Sequence, residues 1–144
     1  MRAVLDPNVF VSALISTAGP PRQIVAAWVD GRFELVASPA LLAELHDVLA
    51  RPKFRRWVSA ATAASFVEGL REATLVLDDP PPQGISPDPD DDYLIVLARA
   101  ANAVYLVSGD RHLVGLAGSD PPVLTPRQFL ELIETSGGYR PPAS

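Results

Sequence analysis

One stretch, SPDPDDDYLIVLARAANAVYLVSGD at residues 86–110, limits what this chain can fold into more than any other. It reads as helix, turn and strand. Asp88 offers a helix cap and Pro89 suits a first helical position. The helix then carries Leu94, Ile95, Val96, Leu97, Ala98, Ala100 and Ala101. It is apolar almost all round, which predicts a buried helix. Ala103 to Val107 follows as a short apolar strand, bounded by Asn102 and by Ser108-Gly109. Asp92 falls in the first turn of the helix, and Asp110 just past the strand. A helix start and the carboxyl end of a parallel strand can share one sheet edge. The two carboxylates are therefore candidates for one site.

The remaining residues repeat the alternation. Arg2 to Leu5 is a strand ending at Asp6, and Asp6-Pro7-Asn8 turns into a helix through Ile15. A loop at 16–21 leads to a helix from Arg22 to Val29, closed by Asp30-Gly31. Glu34 to Ala37 is the second strand. Ser38-Pro39 starts a helix that runs to about Ala50 and is stopped by Pro52. Residues 53–57 read as a basic, aromatic helical turn, and Ser59 to Glu72 as a further helix. Thr74 to Leu77 is the third strand, and the proline-rich 79–89 an ordered surface connection. After the fourth strand come a turn of helix from Arg111 to Leu116 and a strand from Pro122 to Leu124. Thr125-Pro126 then opens a last helix to Glu134, and 135–144 is a loose tail. Short continuous apolar strands alternating with helices predict an α/β fold. The expected architecture is a three-layer α/β/α sandwich, with a central, mostly parallel sheet of about five short strands in one domain over 1–134. Its ligand site is expected at the carboxyl ends of the strands.

Composition narrows the chemistry. With 144 residues, 48% of them hydrophobic, the chain is large enough for one packed core. The absence of cysteine excludes disulfides and thiolate metal sites. No signal-peptide pattern and no run of transmembrane length is present, so a cytoplasmic protein is expected. The net charge of −5 argues against a polyanion bound by overall charge. The cations are concentrated, however: Arg51, Lys53, Arg55 and Arg56 stand beside Trp57 and form a local basic edge.

Four acids have addresses on the predicted site edge. Asp6 ends the first strand, and Asp92 and Asp110 were placed above. Glu44 borders the apolar stripe Leu41, Leu45, Val48, Leu49 of its helix and points partly inward. No lysine or arginine is aimed at the group, so a divalent cation is the natural partner. Hard oxygen donors suit Mg²⁺ or Mn²⁺. Such an ion can polarise a phosphate and lower the pKa of a bound water, the chemistry of phosphodiester hydrolysis. The two histidines, His46 and His112, stand apart and argue against zinc. Asp91 is the reserve for Asp92 should the helix phase be off by one. Three of the acids also have a plainer reading: Asp6 as a helix cap, Glu44 as a surface residue, Asp110 as a turn residue. The functional reading rests on their conjunction.

The ordered set of motifs resembles the PIN-domain family of metal-dependent ribonucleases. The matching residues are V-L-D-P-N-V at Val4 to Val9, S-P-x-L-L-x-E-L at Ser38 to Leu45, D-P-D-D-D-Y-L-I-V-L-A at Asp88 to Ala98, and Y-L-V-S-G-D-R-H-L at Tyr105 to Leu113. The closing L-T-P-R-Q-F-L at Leu124 to Leu130 is similar to the branch that serves as toxins of toxin–antitoxin pairs. The resemblance implies a PIN-like fold with Asp6, Glu44, Asp92 and Asp110 as catalytic, metal-binding acids. It implies that Asn8 and Ser108 support them. It further implies Mg²⁺- or Mn²⁺-dependent hydrolysis of single-stranded RNA by an activated water, a cognate antitoxin and a homodimer. Arg51, Lys53, Arg55, Arg56 and Arg111 are candidate RNA contacts, with Trp57 available for stacking. The plainer reading of 51–57 is a solvated helix turn with Phe54 and Trp57 in the core. The family usually places Thr or Ser after the first acid, where this chain has Pro7.

Two rivals fail on particular residues. An aspartyl-phosphate phosphatase needs a second Asp where Asn8 stands, and a receiver domain needs a Lys where Thr125-Pro126 follows the fifth strand. A catalytically inactive PIN-like interaction module is the remaining alternative, and loss of one of the four acids would have favoured it.

Overall fold

The computed structural model describes residues 1–79, 89–114 and 118–136, without the side chains of 89–92 and 136. The expected cap at Asp88, the connection before it, the end of the helix at Leu116 and the tail beyond 136 lie outside the described residues.

Five strands form one sheet, β1 (Arg2–Leu5), β2 (Glu34–Ala37), β3 (Leu75–Val76), β4 (Tyr105–Val107) and β5 (Val123–Leu124), in the order β3-β2-β1-β4-β5. Every pairing is parallel. The helices are α1 (Pro7–Ile15), α2 (Pro20–Val29), α3 (Pro39–Leu49), α4 (Ala60–Ala73), α5 (Pro89–Ala100), α6 (Arg111–Val114) and α7 (Pro126–Ser136). Ala3, Val4, Leu5, Leu35, Val36, Leu106 and Val107 are all buried, as strands covered on both faces must be. Right-handed crossovers leftward from β1 and rightward from β3 put helices on both faces. The expected α/β/α sandwich is the observed one.

Local chemistry sets the ends of the helices. The Ser38 hydroxyl accepts from the Leu41 amide, and Pro39 takes the first position of α3. Thr125 and Gln128 cap α7 reciprocally, each side chain accepting from the other's backbone N–H. At the other ends, Gly31 at φ 77° and Asn102 at φ 54° close α2 and α5 with left-handed residues. In both cases the following amide returns to the carbonyl five residues back, Arg32 to Ala27 and Ala103 to Ala98.

Two expected boundaries change for these reasons. Ala103 belongs to the closure of α5, because its N–H is spent there, so β4 begins at Tyr105 rather than Ala103. Helix α2 begins at Pro20, not Arg22: Gly19 at φ 117° precedes two prolines that fit a first turn. The remaining differences are of one or two residues at element ends.

In helix α5 Leu94 through Ala98 are buried and packed on β1 and β4 as the composition predicts, whereas Ala100 is exposed. Helix α7 packs on α2 and β5, where the Phe129 ring meets Phe33 edge-on at 5.1 Å. The sheet's direction of growth reverses between β1 and β4. In open parallel sheets that switch point opens a crevice at the carboxyl ends of the strands.

Candidate active site at the carboxyl edge of the sheet

Asp6 follows β1 and Ser108 follows β4, so both stand at the switch point. The ladder continues one step past each strand: Asp6 N–H donates to Val107 O, and Ser108 N–H to Leu124 O, both at 2.9 Å. This fixes the two backbones before their side chains meet. The Ser108 hydroxyl donates to Asp6 Oδ2 at 2.9 Å, and the Asn8 N–H donates to Asp6 Oδ1 at 3.0 Å. Asp6 is therefore the N-cap of α1 as well as a site candidate. Pro7 is buried at the first helical position, which its fixed φ suits. The Asn8 side chain is exposed, and the support it gives Asp6 comes from its backbone.

Ser108 Oγ also accepts from the Asp110 N–H at 2.9 Å, and Asp110 Oδ1 accepts from the His112 N–H at 2.8 Å. Asp110, Ser108 and Asp6 thus form one connected chain across β4 and β1. Asp6 is 5% exposed, and its pKa is raised. Burial is the main cause, the Asp110 charge adds to it, and the Asn8 and Ser108 hydrogen bonds oppose it. Among the described residues neither Asp6 nor Asp110 has an ion-pair partner.

Glu44 reaches this group from α3 through Tyr93. The Tyr93 hydroxyl is held well above its ordinary pKa, first by burial, then by the charges of Glu44 and Asp6, by contact with the Glu44 carboxylate, and by Asp79. That contact is loose: the buried hydroxyl has no well-formed hydrogen bond. Tyr93 therefore lies among Asp6, Glu44 and Asp79. Asp92 is the residue before it, in the first turn of α5, which brings the Asp92 backbone to the same edge. The Asp92 side chain is outside the described residues. Asp79 binds the start of α3, its Oδ2 accepting from the Ala40 N–H at 2.8 Å.

Tyr93 and Asp79 stand beside the candidate acids and were not among the expected residues. The signal for Tyr93 was its place directly after the acidic run. The signal for Asp79 was its place just past a strand.

The donor set is all oxygen, and it contains a buried carboxylate with no basic partner among the described residues. That fits a hard divalent cation better than a structural ion pair. Among the described residues no three acids or histidines already converge as a metal-holding group.

The basic candidates divide. Arg51, Lys53, Arg56 and Arg111 are exposed. Arg55 is half-buried and donates to the Leu49 carbonyl at the end of α3. Phe54 is buried, whereas Trp57 is 50% exposed.

Fold and site together define an open parallel α/β/α domain with an acidic centre at its topological switch point. Residues 2–112 match the PIN domain, and the chain belongs to the PIN domain family. It is similar to the uncharacterized protein MJ1680 of Methanocaldococcus jannaschii, 24% identical over 93% of this chain and 92% of that one. Among solved structures it is similar to PAE2754 from Pyrobaculum aerophilum, with a TM-score of 0.62 at 17% identity over 93% of this chain and 89% of the other. It is also similar to VapBC2 from Rickettsia felis bound to a DNA fragment from their promoter, with a TM-score of 0.59 at 14% identity over 87% and 98%. FitAcB from Neisseria gonorrhoeae gives a TM-score of 0.51 at 19% identity over 87% and 98%. At these identities the structures establish the shared fold. No helix among the described residues is long and apolar enough to cross a membrane.

Proposed function

We propose that this protein is a metal-dependent endoribonuclease that hydrolyses single-stranded RNA in the cytoplasm, and that it is the toxin of a toxin–antitoxin pair. The observation that carries the reading is the buried Asp6 carboxylate at the switch point, without an ion-pair partner among the described residues and linked through Ser108 to Asp110. Membership of the PIN family supports the nuclease assignment. The fold shared with VapBC2 and FitAcB supports the toxin assignment. A cognate antitoxin and a second copy of the chain are the protein partners this reading carries.

Asp6, Glu44, Asp92 and Asp110 would hold Mg²⁺ or Mn²⁺. Bound there, the ion supplies Lewis-acid polarisation of the phosphate and a water acidic enough to attack near neutral pH. The chain's own residues prepare that chemistry. Ser108 and the Asn8 amide fix both oxygens of Asp6, so the carboxylate is oriented before any ligand arrives. Burial disfavours the charged form of Asp6 when it is alone, which makes a cation the partner that stabilises it most. Asp110 is held by its own helix start, and Glu44 stands close to the Tyr93 hydroxyl. No side chain is required to form a covalent intermediate.

The test uses end-labelled single-stranded RNA with Mg²⁺ or Mn²⁺. The wild-type chain is expected to cleave it, and Asp6→Asn or excess chelator to abolish cleavage. Cleavage that persists in either condition refutes the assignment.

A further inference from the structure

The turn that joins α3 to α4 uses none of the residues that build the acidic centre, yet it is the most basic part of the molecule. Residues 51–57 contain four of the twelve Lys and Arg residues and no acid, in a chain of net charge −5. The turn is rigid. Pro52–Phe54 forms a 3-10 turn, the Trp57 and Val58 amides both donate to the Phe54 carbonyl, and the buried Phe54 and Val58 anchor it to the core. Arg55 ties it to the end of α3 through the Leu49 carbonyl. What remains faces outward: Arg51, Lys53, Arg56 and Trp57.

None of Arg51, Lys53 and Arg56 forms an ion pair with a described residue. The Arg56 guanidinium lies 4.9 Å from the centre of the Trp57 ring. A tryptophan is among the residues a fold gains most by burying. Here the turn around it is fixed while half of its surface is left in solvent. A planar aromatic ring and a planar cation, presented rigidly among unpaired positive charges, match the two features of a single-stranded nucleic acid. The charges meet the phosphates, and the ring offers a stacking platform for a base. An anionic membrane would need a broad apolar face, and the tip has only one exposed large hydrophobic side chain.

We infer that the α3–α4 tip, through Trp57, Arg51, Lys53 and Arg56, is a single-stranded RNA contact separate from the acidic centre. It rests on the nuclease reading for the identity of the polymer. Glu44 lies five residues before Leu49, the last residue of α3, about 8 Å along the helix axis, and Arg51 follows two residues beyond that end. A strand stacked on Trp57 can therefore continue along α3 toward the acids. The tip sets affinity for RNA that extends beyond the cleaved bond.

The test separates binding from cleavage. The full chain in excess EDTA is titrated with a fluorescein-labelled single-stranded RNA, followed by anisotropy, and a gel confirms that the RNA stays intact. Trp57→Ala is expected to weaken binding roughly 5-fold to 100-fold, with Trp57→Phe restoring much of it. Lys53→Glu combined with Arg56→Glu, two exposed changes that leave the core intact, is expected to weaken binding and flatten its salt dependence. Unchanged RNA affinity in both variants overturns the proposal. So does an equal loss of affinity for vesicles containing phosphatidylserine or for polyglutamate, since the tip would then be a general anion or partner contact. If the wild-type chain never cleaves RNA but binds it through Trp57, the nuclease reading fails and the tip stands. If cleavage is metal-dependent and binding ignores the tip, the reverse holds.

Discussion

The Ser108 hydroxyl donates a 2.9 Å hydrogen bond to the Asp6 carboxylate, joining residues 102 positions apart where both side chains are buried. The same oxygen accepts from the Asp110 N–H, so one small residue orients two acids from two strands. Ser108→Ala removes the donor and the acceptor together and leaves the buried Asp6 carboxylate and the part-buried Asp110 N–H each short of a partner. The expected cost is about 1–3 kcal/mol of stability, read from urea denaturation. Cleavage and Mn²⁺ affinity are expected to fall by roughly 10-fold to 100-fold, because the orientation of Asp6 is lost while its charge remains. Full activity in this variant would show that Asp6 needs no such support.

The raised pKa of Asp6 fixes the sign of a pH effect. Its ordinary value is 3.8, and burial moves the folded-state value upward. The native state thus keeps this proton to higher pH than the unfolded chain does. The resulting stability is fully present below the unfolded pKa and is lost as pH rises through the folded one. Near neutral pH without metal, the buried charge is a cost. Asp6→Asn is therefore expected to melt higher than wild type around pH 7 in EDTA, with the difference shrinking toward about pH 4. Added Mn²⁺ is expected to raise the wild-type melting temperature and leave Asp6→Asn unmoved. Scanning calorimetry at the two pH values, with and without Mn²⁺, checks both statements.

These residues also show what the sequence reveals and what it hides. The addresses of Asp6 and Asp110 were legible because each follows a short apolar strand, and strand ends in a parallel sheet share an edge. The cap reading of Asp6 and its site reading were posed as alternatives; the structure shows the cap, made by one oxygen to the Asn8 amide, while the other oxygen meets Ser108, so capping does not use up the carboxylate. Tyr93 was not legible. Helix α5 is apolar almost all round, so no stripe distinguishes the side that faces Glu44. Asp79 was hidden for another reason: the amide it caps lies 39 positions away, and no local pattern encodes that meeting. The Ala103 boundary failed because an apolar residue after Asn102 looks like strand, while its amide is consumed in closing the helix.

Tyr93 gives a prediction that separates stability from function. Its hydroxyl is buried without a well-formed hydrogen bond, so Tyr93→Phe leaves no partner stranded and removes a buried unsatisfied polar atom. Thermal stability is expected to hold or rise slightly. Loss of the contact with Glu44 is expected to lower cleavage by about 10-fold or more, through kcat rather than KM. A variant that loses stability and keeps its rate would make Tyr93 a packing residue only.

Asp79 ties the third strand to the helix that carries Glu44. Its carboxylate accepts from the Ala40 N–H, while Ser38 serves the Leu41 N–H, so two of the amides at the start of α3 are satisfied by different segments. The negative charge also complements the positive end of the helix dipole. Asp79→Ala is expected to cost about 1 kcal/mol and to lower the melting temperature by roughly 2–8 °C. Asp79→Asn keeps an acceptor at the same place and is expected to recover most of that loss. Hydrogen exchange locates the effect: protection should fall at Ala40 and the amides beside it, and hold in α5 and β4. Because Glu44 lies little more than one turn along the same helix, Asp79→Ala is expected to weaken Mn²⁺ binding as well, and Asp79→Asn to restore it. Unchanged exchange at Ala40 in Asp79→Ala would show that α3 holds its start, and with it the position of Glu44, without this carboxylate.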